Sequence, residues 1–195
     1  NYAFTNDLNI PIHYQHIDSL VDLNNYRDYM ISQIFLGNAD WPYSNIKFWR
    51  KRASINTQSS LGHDGKYRWI LYDLDGTLGG SCSDVFVTFN TLNQAMSTAP
   101  EFFEYSKLFR GLLASETFKN DYINRTCDLL NSSFLPSVTR NKLNEIKLSL
   151  DDQLLDQVVR WRYPSVADSL QYRLNEVPNL NKWEYLMGKS DTFLI

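Results

Sequence analysis

A chain of 195 residues that is 43% hydrophobic, with a formal net charge of −3, carries enough apolar mass for one sizeable core, either one domain or a pair of tightly packed subdomains. The slightly acidic balance argues against nucleic acid as a partner, because a surface that tracks phosphates normally needs a strong basic excess. No apolar run approaches the roughly 20 residues needed to span a bilayer, so no transmembrane segment is expected in this chain. The two cysteines, Cys82 and Cys127, are too few for a disulfide scaffold whether they form one bridge or remain two thiols.

Along the chain, His13 and His16 come first, at a spacing that chelates a metal on a helix. Pro11 and the lack of a nearby Cys or Glu make ordinary surface histidines the better reading. From Asp22 to Leu36 the apolar positions Tyr26, Met30, Ile31, Ile34 and Phe35 recur at helical spacing, with Asp22 as N-cap and Gly37 as stop. Asn45 to Arg50 and Arg68 to Tyr72 are short strand candidates. Turn chemistry at Gly62-His63-Asp64-Gly65 joins them, which predicts a hairpin. Val85 to Phe89 is a further short strand or the apolar part of an ordered loop. After Pro100 the pattern turns helical, over Phe102 to Ser115, Glu116 to Ser132 and Ser137 to Arg162, with Pro136 at a first-turn position. A final apolar set from Tyr163 to Ile195 includes Val166, Leu170, Trp183 and Met187. The five tryptophans are expected in core or packing positions. The expected fold is therefore mainly α (an α+β arrangement): a helical bundle with a small β-hairpin at its active edge.

The chemistry concentrates in two stretches. Asn38-Ala39-Asp40-Trp41-Pro42-Tyr43-Ser44-Asn45 sets a carboxylate and a carboxamide in a D-x4-N loop, and Tyr72-Asp73-Leu74-Asp75-Gly76-Thr77 delivers two more carboxylates from a strand end. Phosphoryl transfer needs a carboxylate near the attacking hydroxyl and hard oxygen ligands that hold magnesium against phosphate oxygens. In the catalytic loop of protein kinases an Asp takes the hydroxyl proton, an Asn at fixed spacing binds metal, and an Asp on a later strand end binds metal as well. Asp40, Asn45 and Asp73 repeat that order. Asp40 is thus the candidate base, and Asn45, Asp73 and Asp75 are candidate metal ligands. Whether Asp73 or Asp75 is the main ligand stays open, with Asp73 preferred for its place at the strand end. Asn45 and Lys47 are the candidate cofactor-binding residues. Lys47 opens a basic cluster with Arg50, Lys51 and Arg52 that is either a solvated face or a grip on an acidic or phosphorylated group. Two of the acids also have an ordinary alternative: Asp40 as a turn cap, and Asp75 as an acceptor for the Gly76 and Thr77 amides.

Taken in order, these segments resemble the CotH family of atypical kinase-like proteins, named from spore coat protein H. The resemblance rests on Asp22-Leu23-Asn24-Asn25-Tyr26-Arg27-Asp28-Tyr29-Met30, then Gly37-Asn38-Ala39-Asp40-Trp41-Pro42, Asn45-Ile46-Lys47-Phe48-Trp49-Arg50 and Trp69-Ile70-Leu71-Tyr72-Asp73-Leu74-Asp75, closing on Gly79. It continues through Leu108-Phe109-Arg110-Gly111, Tyr122-Ile123-Asn124-Arg125 and Arg160-Trp161. It implies a kinase-like C-terminal lobe, ATP as phosphate donor, Mg or Mn as metal, a protein hydroxyl as acceptor, and an exported, cell-surface or spore-coat setting. A complete kinase-like domain also needs a small lobe with a glycine-rich loop and a phosphate-binding Lys. The chain has only 8 glycines and no G-x-G-x-x-G. The expectation is one domain over 1–195, in which residues 1–99 carry the catalytic loop and metal site and residues 100–195 are helical, the nucleotide-binding lobe lying outside it. Such a lobe alone is expected to bind ATP poorly.

Two other readings compete. Ile70-Leu71-Tyr72-Asp73-Leu74-Asp75-Gly76-Thr77 also resembles the first motif of haloacid-dehalogenase-like phosphatases, in which the first Asp, here Asp73, is the nucleophile. That fold needs a parallel sheet alternating with helices, which the downstream helical pattern does not supply. The other is a non-catalytic binding module that keeps a kinase-like scaffold.

Overall fold

The computed structural model describes residues 1–52, 55, 59–79, 88–99, 104–161, 187–189 and 194. The chain divides into two compact units, one of Asn1–Thr77 with Asn90–Asp128 and one of Leu78–Phe89 with Leu129–Ile195. In chain order the described elements are α1 (Tyr2–Thr5), α2 (Pro11–Leu20), α3 (Leu23–Phe35), β1 (Lys47–Trp49), β2 (Arg68–Ile70), α4 (Thr91–Met96), α5 (Lys107–Leu113), α6 (Glu116–Leu130) and α7 (Pro136–Trp161). The protein is mainly helical with a small two-stranded antiparallel sheet, as the sequence implies. Among the described residues no helix is long and apolar enough to cross a membrane.

Helix α3 organises the first unit. Asp22 caps it by accepting the Asn25 amide at 3.0 Å, a contact typically worth about 1 kcal/mol. At the far end Gly37 takes the left-handed conformation, φ 61°. The Gly37 amide then reaches the Ile34 carbonyl at 3.1 Å and the Asn38 amide the Gln33 carbonyl at 3.2 Å. This pair of bonds consumes helix-end carbonyls and turns the chain sharply. The buried face of α3 includes Leu23, Tyr26, Tyr29, Met30 and Ile31. Leu23, Tyr26, Tyr29 and Met30 join Ile17, Val21, Trp41, Ala95, Phe109, Leu112 and Phe118 in one core, where each fully buried large side chain contributes roughly 1.5–3 kcal/mol. Helices α1 and α5 approach so closely that a β-carbon on Gly111 would lie 2.7 Å from the Ala3 carbonyl oxygen.

The hairpin is shorter than predicted, pairing Lys47 with Ile70, Phe48 with Trp69 and Trp49 with Arg68. Strand β2 is held on its other side by side chain and backbone of the α2–α3 region. The Tyr67 amide donates to Leu20 O at 2.8 Å, and the Asp22 amide to Tyr67 O at 3.0 Å. The Asn25 side-chain amide then takes over the ladder, accepting from the Trp69 amide at 2.6 Å and donating to the Trp69 carbonyl at 3.2 Å. At the start of β2, Arg68 is buried and forks onto Asp64 at 2.8 and 2.7 Å. Its Nε lies 2.9 Å from Asp22 Oδ2. The bonds from Arg68 hold the Asp64 carboxyl well below the usual carboxylate range.

Several expectations need correction or fall outside the described residues. Trp41 is buried, but Trp49 is 43% exposed, because all of β1 faces outward. Among the described residues after Pro100 the first helix is Lys107–Leu113, with turns over 104–106 and the expected start at Phe102 outside the described residues, while α6 and α7 run close to their predicted bounds, with Pro136 opening α7. His13 Nδ1 pairs with the Tyr2 hydroxyl at 2.7 Å, and His16 packs against the Tyr2 ring, so the two act as packing partners of α1. The expected strand from Val85, Cys82, and most of the segment from Tyr163 lie outside the described residues.

Candidate functional site

The loop that leaves α3 is shaped by buried groups on one side and exposed ones on the other. Asn38 and Ala39 are buried, Asp40 is exposed, and the Trp41 ring is buried again. The Trp41 indole N–H donates to the Tyr29 hydroxyl at 2.9 Å. Burial pushes the Tyr29 phenol up from its ordinary range, so it stays neutral as that acceptor. The Trp41–Pro42 peptide is cis. Beyond it the Ser44 amide and hydroxyl both donate to the Asp40 carbonyl, at 3.1 and 3.0 Å, and the Tyr43 hydroxyl donates to Ala39 O at 3.1 Å. The loop is thus closed through its backbone carbonyls, which leaves the Asp40 carboxylate outside its internal hydrogen bonding.

The second acidic turn docks directly on this loop. The Ala39 amide donates to the Gly76 carbonyl at 3.1 Å. A β-carbon built on Gly76 would sit 3.5 Å from Asp40 Oδ2 and 3.5 Å from Asn38 Oδ1, so the Asp40 carboxylate faces the Gly76 backbone. The turn is closed by the Leu74 carbonyl, which accepts from the Thr77 amide at 3.2 Å and the Thr77 hydroxyl at 2.6 Å. Neither bond uses the Asp75 side chain. Asn45 and Asp73 both occupy the left-handed region, at φ 57° and 54°. Asn and Asp tolerate that conformation better than other non-glycine residues, and such outliers cluster where a structure holds a side chain for a purpose.

Asp40, Asp73 and Asp75 are all exposed, and among the described residues no hydrogen bond or ion pair engages their carboxylates. Neither alternative, Asp40 as a cap or Asp75 as a turn acceptor, is what the geometry displays. Among the described residues no three His, Cys, Asp or Glu side chains gather into a ready-made metal cage. The expected donor set is of another kind, one carboxamide and acids from a single turn. Hard oxygens of this sort fit magnesium, which keeps several waters and takes one or two carboxylates together with phosphate oxygens.

Asn45 opens onto a cavity of 490 Å³ lined by Tyr26, Tyr43, Phe48, Trp69 and Tyr72 among others. Lys47 stands at the exposed start of β1, with its ammonium 3.9 Å from the centre of the Tyr72 ring. The structure therefore brings Asp40 to the Gly76 turn, and brings Asn45 and Lys47 to Tyr72, the residue before Asp73. Two further members of the basic cluster are drawn to the hairpin, Arg50 over the Tyr67 ring at 4.8 Å and Lys51 at 3.1 Å from His63 Nδ1. Sequence reasoning missed the aromatic cavity and the framework asparagines, Asn25 and Asn38. The aromatic-rich stretches on both strands were a usable signal for the first. A loop asparagine gives none for the second.

Comparison with known proteins gives one match. A family model described as CotH kinase protein covers residues 3–184. No curated protein and no solved structure matches the chain.

Proposed function

This chain belongs to the CotH kinase family, and from that premise we propose that it forms the kinase-like C-terminal lobe of a phosphotransferase that moves a phosphoryl group from a nucleotide such as ATP to a protein hydroxyl. The observation that carries the reading is the trio of exposed acids, Asp40, Asp73 and Asp75, left unengaged on two loops that are bonded to each other. In this reading Asp40 orients the acceptor hydroxyl and takes its proton as the oxygen attacks phosphorus, while the bond to the departing nucleoside diphosphate breaks. Asn45 and Asp73, with Asp75 beside them, hold the magnesium or manganese ion, which when bound neutralises charge on the phosphate oxygens. Lys47, close to Asn45, adds a positive charge for the phosphates. An exported or cell-surface setting belongs to the same proposal.

The antiparallel pairing of β2 with β1 favours this reading over an aspartyl-phosphate phosphatase, whose nucleophile sits at the end of a parallel strand. The test is transfer of the γ-phosphate of labelled ATP to a hydroxyl-bearing protein, in the presence of Mg²⁺ or Mn²⁺, by the full-length protein. Acid-stable, EDTA-sensitive labelling is expected. Label that appears only as an acyl phosphate on Asp73 would transfer the assignment to the phosphatase reading. Absence of both labelling and calorimetric ATP binding would leave a scaffold.

A further inference from the structure

The loop bearing Asp40 owes its position to a residue that touches neither the acceptor nor a phosphate in the reading above. Asn38 is fully buried, and so is Gln33 one helical turn before it; both are 0% exposed. Two uncharged amides are an expensive choice for a closed core unless their donors and acceptors are used. Those of Asn38 are used in opposite directions. Its Nδ2 donates to Gln33 Oε1 at 2.9 Å, on the last turn of α3. Its Oδ1 accepts the Asp40 backbone amide at 3.2 Å. That same Oδ1 is 3.5 Å from the place a Gly76 β-carbon would occupy, on the side of Gly76 that the Asp40 carboxylate also faces. One side chain therefore refers the candidate base to a rigid helix end and to the neighbouring acidic turn at once.

We infer that Asn38, held by Gln33, is a positioning residue that sets the register of the Asp40 loop against the Gly76 turn. The inference rests on the proposed role of Asp40 for its catalytic meaning, but not for its structural content. The adjoining backbone bond, Ala39 amide to Gly76 carbonyl at 3.1 Å, fastens the two loops and depends on the same register. With Asn38 truncated, the Asp40 amide loses its acceptor, and Gln33 faces an empty space. The α3 termination through Gly37 and the Trp41 anchor remain, so the loop loosens without the fold being lost.

The experiment compares the wild type with Asn38→Ala, which removes both amide bonds, and Asn38→Asp, which keeps the acceptor for the Asp40 amide. Backbone hydrogen exchange by NMR is read at Asp40 and Ala39, alongside kcat and KM for phosphoryl transfer by the full-length protein. In Asn38→Ala these two amides are expected to lose protection while amides inside α3 keep theirs. kcat is expected to fall on the order of 10²-fold with KM for ATP little changed, the size of effect a small misplacement causes. Asn38→Asp is expected to restore protection at the Asp40 amide. Unchanged exchange at Asp40 and Ala39 in a folded Asn38→Ala protein would overturn the inference, as would full kcat in that variant. Should Asn38→Ala not fold, unrestored protection at Asp40 in Asn38→Asp overturns it. A wild type that transfers no phosphate while the exchange pattern appears as expected would sink the kinase reading and leave the positioning role standing.

Discussion

Two sets of acids lie within one compact unit and have opposite fates. Asp22 and Asp64 are drawn onto the buried Arg68 guanidinium at 2.9 and 2.7 Å, and Asp22 also caps α3. Asp40, Asp73 and Asp75 stand exposed, with no partner for their carboxylates among the described residues. The first set does structural work: a half-buried carboxylate must be neutralised and bonded, or it costs several kcal/mol. The second set has no such obligation, yet two interlocked loops hold it in place. Exposed acids without a counter-charge, carried on two loops that are bonded to each other, suit a partner that arrives later, and a divalent cation with its phosphates is such a partner.

Substitutions in the two sets of acids should have opposite consequences. The largest effect is expected from Asp40→Ala in the full-length protein, which should lower phosphoryl transfer about 10²- to 10⁴-fold, the usual range for loss of a general base. Circular dichroism and the melting temperature should stay near wild type, since Asp40 contributes only backbone atoms to the loop's hydrogen bonds. Retained activity would remove Asp40 from the mechanism. Arg68→Ala should do the reverse. It strands Asp22 and Asp64 and should cost about 3 kcal/mol in urea unfolding, with the acids of the site untouched.

The same ion cluster gives a pH dependence with a definite sign. Arg68 depresses the Asp64 carboxyl, so its contribution to stability is complete above the unfolded carboxyl value near 3.9. That contribution is lost as pH falls from there toward the lower folded value. Melting curves should show the wild type losing stability more steeply than Asp64→Asn in that acid window, and parallel curves would refute the pairing. Gly111→Ala supplies a control at the contact of α1 with α5, where the new methyl would meet the Ala3 carbonyl oxygen at 2.7 Å. About 2 kcal/mol of destabilisation is expected, with ATP-dependent labelling unaffected at temperatures where the protein is folded.

Much of this arrangement could be read from the residue order. The α3 pattern, the Asp22 cap and the Gly37 stop follow from local chemistry, and local chemistry is what the structure uses there. The hairpin was legible for the same reason, as were α6 and α7. At α5 the described residues 104–106 just before Lys107 form turns, a local departure that apolar periodicity does not mark. At the site, Asp40, Asn45, Asp73 and Asp75 were visible as types in sequence. What separates them from Asp22 and Asp64 was not. That difference lies in Arg68, whose pairing with Asp22 and Asp64 no sequence motif marks, and in the Asn38 and Asn25 side chains, which accept backbone amides in a way that sequence does not reveal. The outward-facing Trp49 was misjudged because aromatic size argues for burial, whereas β1 presents all its residues to the surface.

Whether the unpaired acids are there to meet a divalent cation is read by Mn²⁺ titration followed by electron paramagnetic resonance. With ATP present, the full-length wild-type protein should bind Mn²⁺, and the Asp73→Asn/Asp75→Asn double variant at least about tenfold more weakly. Equal Mn²⁺ affinity in the two proteins, both shown to be folded, would contradict the account.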